Sequence, residues 1–596
     1  MDTPAAVPPG DFDGTFFNSD TIAHALREIG LRYAAVCPGS SFRGVQESVV
    51  NALGNRDPQL VLCLHEEHAV AIAHGYARVT GEPMGVVVHC NVGLMHAAMA
   101  VYNAWCDRMP MIILGGVGPL DSARRRTPID WLHSVSDQGS LVRQYVKWDD
   151  QPLSPRATIE SLLRANQIAR TAPRGPVYVT LDQRLQEDTL PYRNADKPDA
   201  RRFRAPAPPA PEPELVRQAA QWLVAAEHPV ILAGRVSRDE RAWNVRVRLA
   251  ETLGAAVLTD LKVAAAFPTD HVLHGPEPAI AFTSAAGEAI VREADVVLSL
   301  DWWDPATLFT QAWGEINAPA KVIRCSLDNY AHRGWTRDHM ALAPADLDIL
   351  AEPDRVVPAL LGEIERVAGD EFRRRTVERL LARTREHVAP VPARPLTGGP
   401  EDIGLWDIGA ALREALSGMA YCLVRAPLGW HVDALPIRHP LEYLGADGAA
   451  GVGGAPGMSV GSALALRGTG RLPVAVIGDG DFLMGVSALW TAASTRTPML
   501  VIIANNCGYY IDEQHQATTA RTRGRAVETA HVAQRISEPE VDILAMARAQ
   551  GFAGCGPIAK RSELVPAFLA AVDAVKRGER YLIDVRIKPD YEGYPK

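Results

Sequence analysis

Residues 472–508 contain the feature that most restricts how this chain can fold: two short apolar runs, each followed directly by polar and glycine residues. The first run, LPVAVI, leads into Gly478 and Asp479, and the second, MLVIIA, leads into Asn506 and Gly508. Apolar β-branched runs of this length predict buried parallel strands, and the segment between them has apolar residues at helical spacing. The stretch therefore predicts an α/β fold with Asp479 and Asn506 at the carboxyl ends of strands, where open sheets bind ligands.

The polar groups after these two strands are hard oxygen donors. The Asp479 carboxylate, the Asn506 amide oxygen and the Gly508 carbonyl suit magnesium, which takes a few protein oxygens and completes its shell with water and phosphate. Alternatively, Asp479 caps a helix and Asn506 forms a turn, as most such residues do. The spacing of the two motifs favours the metal site.

A GDG followed after about two dozen residues by NN resembles the diphosphate-binding motif of thiamine-diphosphate enzymes. Within that superfamily, GDGDFLMGVSALWTAA is similar to the acetolactate synthase, benzoylformate decarboxylase and 2-hydroxyacyl-CoA lyase group. The resemblance implies that Asp479, Asn506 and Gly508 hold a Mg²⁺ ion that bridges the cofactor's diphosphate. It implies cofactor binding by Gly429, His431, Met458, Gly478, Asp479, Gly480, Asp481, Asn506, Gly508 and Tyr509, with Met458 or Pro456 as the bulky residue that bends the cofactor.

Composition excludes several other classes of protein. The 596 residues are 47% hydrophobic and 22% charged, as in globular chains of several domains. A net charge of −9 gives no reason to expect nucleic acid, and no apolar run is long enough to span a membrane. The eight cysteines form no C-x-x-C pair, and the first residues lack the basic and apolar regions of a signal peptide. We therefore expect a cytoplasmic protein.

The chain divides into three predicted parallel-sheet α/β domains, at 14–190, 212–366 and 400–596. A proline-rich linker, APAPPAPEPE, precedes the second domain, and landmarks in residues 81–110 recur almost in step in residues 470–498. Both stretches carry a Thr-Gly turn, a buried strand, a polar loop, a helix with a tryptophan and a Pro-Met strand start. The first and third domains are thus predicted to be related, with a cleft where their strand ends meet. They resemble the pyrimidine-binding and diphosphate-binding domains of the thiamine enzymes.

Three polar residues of the first domain follow predicted strands. Glu66 stands nine residues before Gly-Tyr-Ala-Arg, a pattern that resembles the catalytic glutamate of the thiamine family. His89 matches a catalytic histidine of benzoylformate decarboxylases, and Ser40 matches a serine that contacts substrate. Each has a structural alternative: a carboxylate favoured at a helix N-terminus, a buried histidine and a helix N-cap.

The central domain shows four predicted strands, and the resemblance extends to a family domain that binds FAD or ADP in some members. No phosphate-binding glycine loop is evident, so we predict neither nucleotide here. Trp302 stands in the region where the decarboxylase supplies a second histidine, and it is predicted to contact an apolar substrate or, alternatively, to pack in the core. After Gly508 a polar stretch without apolar periodicity predicts a covering loop, with Tyr510 lining the substrate pocket.

These features together predict a thiamine-diphosphate- and Mg²⁺-dependent enzyme that cleaves or forms a C–C bond next to a carbonyl. The leading hypothesis is a 2-oxo acid decarboxylase or lyase of benzoylformate decarboxylase type. The alternatives are an acetolactate-synthase-like carboligase, a 2-hydroxyacyl-CoA lyase and an inactive scaffold subunit; the presence of Glu66, Asp479 and Asn506 argues against the scaffold. The expected partners are a small oxo acid or aldehyde, without nucleic acid or membrane. One chain could build the site from its first and third domains alone, but the resemblance implies a homodimer or homotetramer with active sites between subunits.

Overall fold

The computed structural model describes residues 15–190, 199–278, 283–317, 319–328, 341–387, 398–446 and 448–589. They form three separate sheets, all parallel and flanked by helices, and each sheet lies within one predicted domain. The predicted class of three parallel-sheet α/β domains is confirmed. No helix in the described part of the chain combines the length and the apolar character needed to cross a bilayer.

The first sheet has six strands in the order β2-β1-β3-β4-β6-β5. Its strands are β1 (Tyr33–Val36), β2 (Gln59–Leu62), β3 (Met84–Val88), β4 (Met111–Val117), β5 (Asp149–Asp150) and β6 (Pro176–Asp182). Its helices are α1 (Asn18–Glu28), α2 (Arg43–Asn51), α3 (Glu66–Thr80), α4 (Asn91–Cys106), α5 (Ile129–Leu132), α6 (Pro155–Arg170) and α7 (Gln183–Glu187). The carboxyl ends of the neighbouring strands β2, β1 and β3 therefore meet at one edge.

The central sheet has five strands in the order β11-β10-β9-β7-β8. They are β7 (Pro229–Ala233), β8 (Ala256–Thr259), β9 (Val296–Leu300), β10 (Lys321–Cys325) and β11 (Leu347–Ile349). The helices are α8 (Pro213–Ala225), α9 (Glu240–Leu253), α10 (Ala285–Arg292), α11 (Pro305–Trp313), α12 (Pro353–Val367) and α13 (Asp370–His387). Helix α13 lies beyond the predicted domain end, yet its Phe372 is buried in the central core and its Arg379 donates to the Leu253 carbonyl at 2.6 Å.

The third sheet has five strands in the order β12-β13-β14-β16-β15. They are β12 (Tyr421–Arg425), β13 (Leu472–Gly478), β14 (Met499–Asn505), β15 (Ala553–Ile558) and β16 (Arg580–Arg586). The helices are α14 (Leu405–Ala415), α15 (Ala455–Ala465), α16 (Asp479–Gly485), α17 (Ala488–Ser494), α18 (Tyr510–Thr522), α19 (Ile543–Ala549) and α20 (Leu564–Lys576). Once the edge strand β2 is set aside, the first sheet has the same strand order, which confirms the predicted relationship between the two domains.

Two segments of the third domain differ from the sequence-based expectation. The single helix expected before β14 is split into α16 and α17, with the break next to Gly485. A Cβ on Gly485 would lie 2.3 Å from the Gly453 carbonyl oxygen, so a neighbouring loop comes very close there. The expected covering loop after Gly508 contains helix α18, none of whose residues is buried. A helix with no buried face has no apolar stripe to reveal it.

The first and third domains share one hydrophobic core, because helices α3 and α15 cross in direct backbone contact. A Cβ on Gly75 would lie 1.9 Å from the Met458 carbonyl oxygen, and one on Gly461 would lie 1.9 Å from that of Ile72. Glycine at both positions permits this close approach. The common core includes, from both domains, Val70, Ile72, Ala73, Val101, Val460, Ala463, Leu464, Leu489 and Val501.

A buried carboxylate ties the central domain to this pair. Asp107 accepts hydrogen bonds from His74 Nε2 at 2.9 Å and from Lys262 Nζ of the central domain at 3.4 Å, and Arg78 lies 3.5 Å away. Arg78 also donates to the Ala446 carbonyl of the third domain. Burial alone would raise the pKa of Asp107, but Lys262, Arg78 and His74 together hold it well below its usual value. The three domains are thus fixed around one charge.

Candidate active site

The edge formed by β2, β1 and β3 carries the predicted catalytic glutamate. Glu66 is the first residue of α3, is 8% exposed, and follows His65, whose ring accepts from the Glu67 amide at 3.2 Å. A carboxylate in the first helical turn is favoured by the helix dipole. Glu66 Oε2 lies 3.1 Å from Nδ1 of His96 on α4, so a second helix orients the carboxylate.

The predicted catalytic histidine lies at the same edge. His89 follows β3, and its Nδ1 is 2.7 Å from Oγ of Ser41. Its ring meets the ring of His133 edge to face, with centroids 4.7 Å apart. Burial lowers the pKa of His89, a positive charge on His133 lowers it further, and Glu66 opposes both. His89 is therefore an uncharged base at neutral pH.

The serine that contacts His89 is Ser41, not Ser40. Ser40 is exposed at the start of a 3₁₀ turn over Ser40–Phe42, whereas Ser41 is 3% exposed. Consecutive side chains point in different directions in a tight turn. The sequence of a Ser-Ser pair does not show which of the two hydroxyl groups faces the histidine. The contact with substrate predicted for Ser40 stays a prediction.

The edge formed by β12, β13 and β14 carries the predicted metal ligands. Asp479 begins α16 and is 3% exposed, and burial raises the pKa of its carboxyl to about 6, although the amides of Gly508, Asn506 and Gly480 partly offset this. Among the described residues no cationic side chain pairs with Asp479 and no donor reaches the Gly508 carbonyl. A buried carboxylate without a cation, beside an amide oxygen and an unused carbonyl, fits a divalent metal ion.

The glycine-rich segment before α15 is held by Asp481. Its Oδ1 accepts from the amide of Gly453 at 2.7 Å and from that of Ala455 at 3.3 Å. The Asp481 carboxylate thus faces the glycine-rich segment and holds its backbone in place. Met458 is 3% exposed inside α15, whereas Val452 in the loop is 43% exposed. Val452 is thus a second bulky candidate in this segment, and Met458, whose Cε would lie 3.6 Å from a Cβ on Gly454, stays the predicted one.

The remaining predicted cofactor-binding residues lie along the same edge. Gly429, with a φ of 79°, and His431 follow β12, which neighbours β13. A Cβ on Gly478 would meet nothing within 4 Å, whereas one on Gly480 would lie 2.6 Å from the Tyr509 ring. The edge therefore has open space at Gly478 and an aromatic wall at Tyr509.

Hydrogen bonds connect the first and third domains within one chain. His68 Nδ1 of α3 lies 3.3 Å from Ser487 Oγ, and the Thr491 hydroxyl donates to the Leu62 carbonyl at 2.9 Å. On the other side Asn103 Oδ1 accepts from the Ala449 amide of the glycine-rich segment at 3.0 Å. These contacts join the first and third domains within one chain, and the sites between subunits that the resemblance implies stay a prediction.

Of the two aromatic residues predicted to contact substrate, Trp302 does not line this region. It is 6% exposed and packs in the central-domain core with Phe309, and its neighbour Trp303 donates to Asp260 at 2.8 Å. Core packing, the alternative, is the correct interpretation of Trp302. Tyr510 begins α18 just after β14 and so lies at the third-domain edge.

Sequence reasoning did not identify Ser41, His96 or His133. His96 had a weak signal, since it is a polar residue in the otherwise apolar helix α4. His133 had none, because it follows the four-residue helix α5 in an irregular segment and reaches His89 only through tertiary folding.

Models of three thiamine pyrophosphate enzyme domains match the chain: the N-terminal TPP binding domain over residues 18–141, the central domain over 216–360 and the C-terminal TPP binding domain over 427–585. Benzoylformate decarboxylase of Pseudomonas aeruginosa is 26% identical, with 76% of this chain and 80% of the relative covered. Acetolactate synthase of Bacillus subtilis is 22% identical, covering 82% and 81%. The crystal structure of benzoylformate decarboxylase from Polynucleobacter necessarius superposes with a TM-score of 0.77 at 20% identity over 97% of this chain and 100% of that one. That likeness concerns the fold.

Proposed function

Since this chain belongs to the thiamine pyrophosphate enzyme family, we propose that it is a Mg²⁺-dependent 2-oxo acid decarboxylase or lyase. The observation that carries the proposal is the presence of two polar edges in one chain, each at the carboxyl ends of a parallel sheet. One edge holds Glu66 and His89, and the other holds Asp479 with its neighbouring oxygen donors. The similarity to benzoylformate decarboxylase supports this reaction class.

The third-domain edge would hold the diphosphate and its metal ion. Asp479, Asn506 and the Gly508 carbonyl would bind Mg²⁺, while the backbone around Gly478 and the turn at Gly429 would face the diphosphate. When bound, thiamine diphosphate supplies a carbon nucleophile and an electron sink for the C–C bond cleavage. Asp481 keeps the glycine-rich loop in position through its two backbone hydrogen bonds.

The first-domain edge would move the protons. Glu66 would hold a proton at a carboxylate oxygen against the pyrimidine ring of the cofactor, and His96 orients that carboxylate. His89, held at Nδ1 by Ser41, would use Nε2 as an acid or base towards the substrate. A positioned acid–base group of this kind contributes about 10²–10⁴-fold to a rate.

The experiment compares the wild type with Glu66→Gln and the matched control Glu67→Gln. Thiamine diphosphate with Mg²⁺ is titrated by calorimetry, and carbon dioxide release is followed over aliphatic and aromatic 2-oxo acids. We expect all three proteins to bind the cofactor, and Glu66→Gln alone to lose about 10²-fold or more in kcat. No cofactor binding by the wild type would refute the proposed function.

The similarity to acetolactate synthase favours carboligation as the second candidate. The same assay separates the two when a second 2-oxo acid or aldehyde is added. A hydroxyketone product without free aldehyde would favour the carboligase. A panel without turnover that responds only to a CoA thioester would favour the acyl-CoA lyase. We also propose a homodimer or homotetramer, which light scattering measures directly.

A further inference from the structure

A second histidine lies at the first-domain edge, and we propose that it transfers protons to the substrate together with His89. The rings of His133 and His89 meet edge to face at 74°, with centroids 4.7 Å apart. This inference rests on the proposed function and adds a residue to its chemistry. His133 would act at the oxo acid itself.

The ring nitrogens of the pair are available to a ligand. Ser41 Oγ occupies Nδ1 of His89 and so fixes the orientation of that ring. Within the part of the chain that the structure describes, His89 Nε2 and both ring nitrogens of His133 have no hydrogen-bond partner. Unpaired polar atoms of two half-buried rings, beside Glu66, are suited to bind a polar substrate group.

The position of His133 is fixed by its own segment. The side-chain Nδ2 of Asn91, at the start of α4, donates to the Leu132 carbonyl at 3.4 Å. The carboxylate of Asp130 is 2% exposed in its side chain and pairs with Arg126 at 2.9 Å. Arg126 also donates to Gln183 at 2.7 Å, which ties the segment to the domain behind it. These contacts hold the histidine against the site.

The charges around the pair affect the pKa of His89. Burial lowers the pKa of His89, His133 lowers it further when positive, and Glu66 is the charged group that opposes them. Two imidazolium ions at this separation would repel each other, so a positive charge on one ring disfavours a positive charge on the other. A neutral imidazole and an imidazolium side by side can accept and donate a proton in the same reaction.

Decarboxylation of a 2-oxo acid involves proton transfers at two atoms, which two histidines can serve. The bond to the carboxylate breaks, carbon dioxide leaves, the electron pair remains on the former carbonyl carbon, and a new C–H bond takes up one proton from water. The carbonyl oxygen gains a proton before this step and loses it when the aldehyde forms. With two histidines, one ring serves the carbon and the other serves the oxygen, and the proton consumed is replaced from solvent.

The test is His133→Phe, which keeps an aromatic ring against His89 but cannot carry a proton. The matched control is Trp131→Phe in the same segment, at a side chain that is 78% exposed. We expect cofactor affinity to be unchanged in both variants and kcat to fall about 10²-fold or more in His133→Phe alone. The pH dependence of kcat that the histidine pair causes should be absent from the His133→Phe profile. His89→Phe combined with His133→Phe should lose less than the product of the single losses.

A His133→Phe enzyme that keeps more than a third of kcat with an unchanged pH profile would overturn the inference. Failure of the proposed function is detected separately, as absence of turnover by the wild type. In that case NMR of protein labelled with ¹⁵N in the histidine rings tests whether His133 contacts the oxo acid. The His133 signals, identified by their loss in the variant, should shift when pyruvate or benzoylformate is added to protein loaded with cofactor and Mg²⁺. Signals that do not move would exclude contact with the oxo acid.

Discussion

Adding one methyl group at Gly461 tests how strictly the first and third domains depend on contact between helices α3 and α15. The new Cβ would lie 1.9 Å from the Ile72 carbonyl oxygen, whereas real Cβ contacts are not shorter than 3.0 Å. Because the atom it meets belongs to the backbone of a buried helix, no side chain can rotate away. The two helices would have to separate by roughly 1 Å or more.

Two opposing terms determine the effect of Gly461→Ala on the free energy of unfolding. Alanine is the better helix former by about 1 kcal/mol. Overpacking a well-packed interior costs about 1–3 kcal/mol, and here the separation would also weaken the common core along the whole crossing. We expect a net destabilisation of about 2 kcal/mol. Since a shift of 1 Å in a catalytic group can cost about 10²-fold in rate, turnover should fall as well.

The matched control is Gly362→Ala. Gly362 also lies inside a helix, α12, but a Cβ there would meet nothing within 4 Å. Alanine restricts the unfolded chain and meets no atom in the folded protein at this position. The substitution should therefore stabilise the protein by about 0.5–1 kcal/mol. Scanning calorimetry of both variants, with carbon dioxide release as the second readout, measures the contrast. A Gly461→Ala protein that melts as high as Gly362→Ala and retains full activity would refute the close crossing.

Three further predictions concern the same region. Burial lowers the pKa of His68 from 6.5 to about 4, so the unfolded chain binds the proton more tightly; stability is intact above about pH 6.5 and falls by up to about 3 kcal/mol towards pH 4. His68→Gln should abolish that loss, and melting curves at pH 7 and 4.5 would contradict this if both proteins lost stability equally. Asp481→Ala leaves the Gly453 amide unpaired and should weaken cofactor binding by about 1–3 kcal/mol in calorimetry, and unchanged affinity would exclude its role in the loop. Met458→Ala should lower the free energy of unfolding by about 2–5 kcal/mol, whereas Val452→Ala should leave it unchanged and lower kcat; the reverse pattern would identify Met458 as the bulky residue at the cofactor.

The elements that sequence reasoning predicted well are those whose pattern is set by burial. The strands before Gly478 and Asn506 are continuous apolar runs because both faces of a parallel sheet are covered. Their carboxyl ends then locate Asp479 without any tertiary information, and the repeated landmarks reveal the related first sheet. Glu66 and His89 were proposed from their resemblance to family positions, and the structure places both after strands of the first sheet.

The residues that were missed or misassigned depend on information that no local pattern carries. Trp302 follows a strand as His89 does, but it turns into the central core. His133 reaches the site through an irregular segment, and helix α18 buries none of its residues. Ser41 contacts His89 from within a tight turn, where the sequence does not show which side chain faces the site. In each case the outcome is decided by contacts between distant parts of the chain.

The core shared by the first and third domains makes them one cooperative folding unit, although their sheets are separate and related. Removing either domain would strip the apolar face from α3 or α15 and expose the residues that pack across the crossing, so neither copy should fold alone. The central domain has two cores of its own, and its Trp243, Leu261 and Ala265 pack in the core of the third domain. If the two related domains arose from a single ancestral unit, each has since lost the ability to exist without the other.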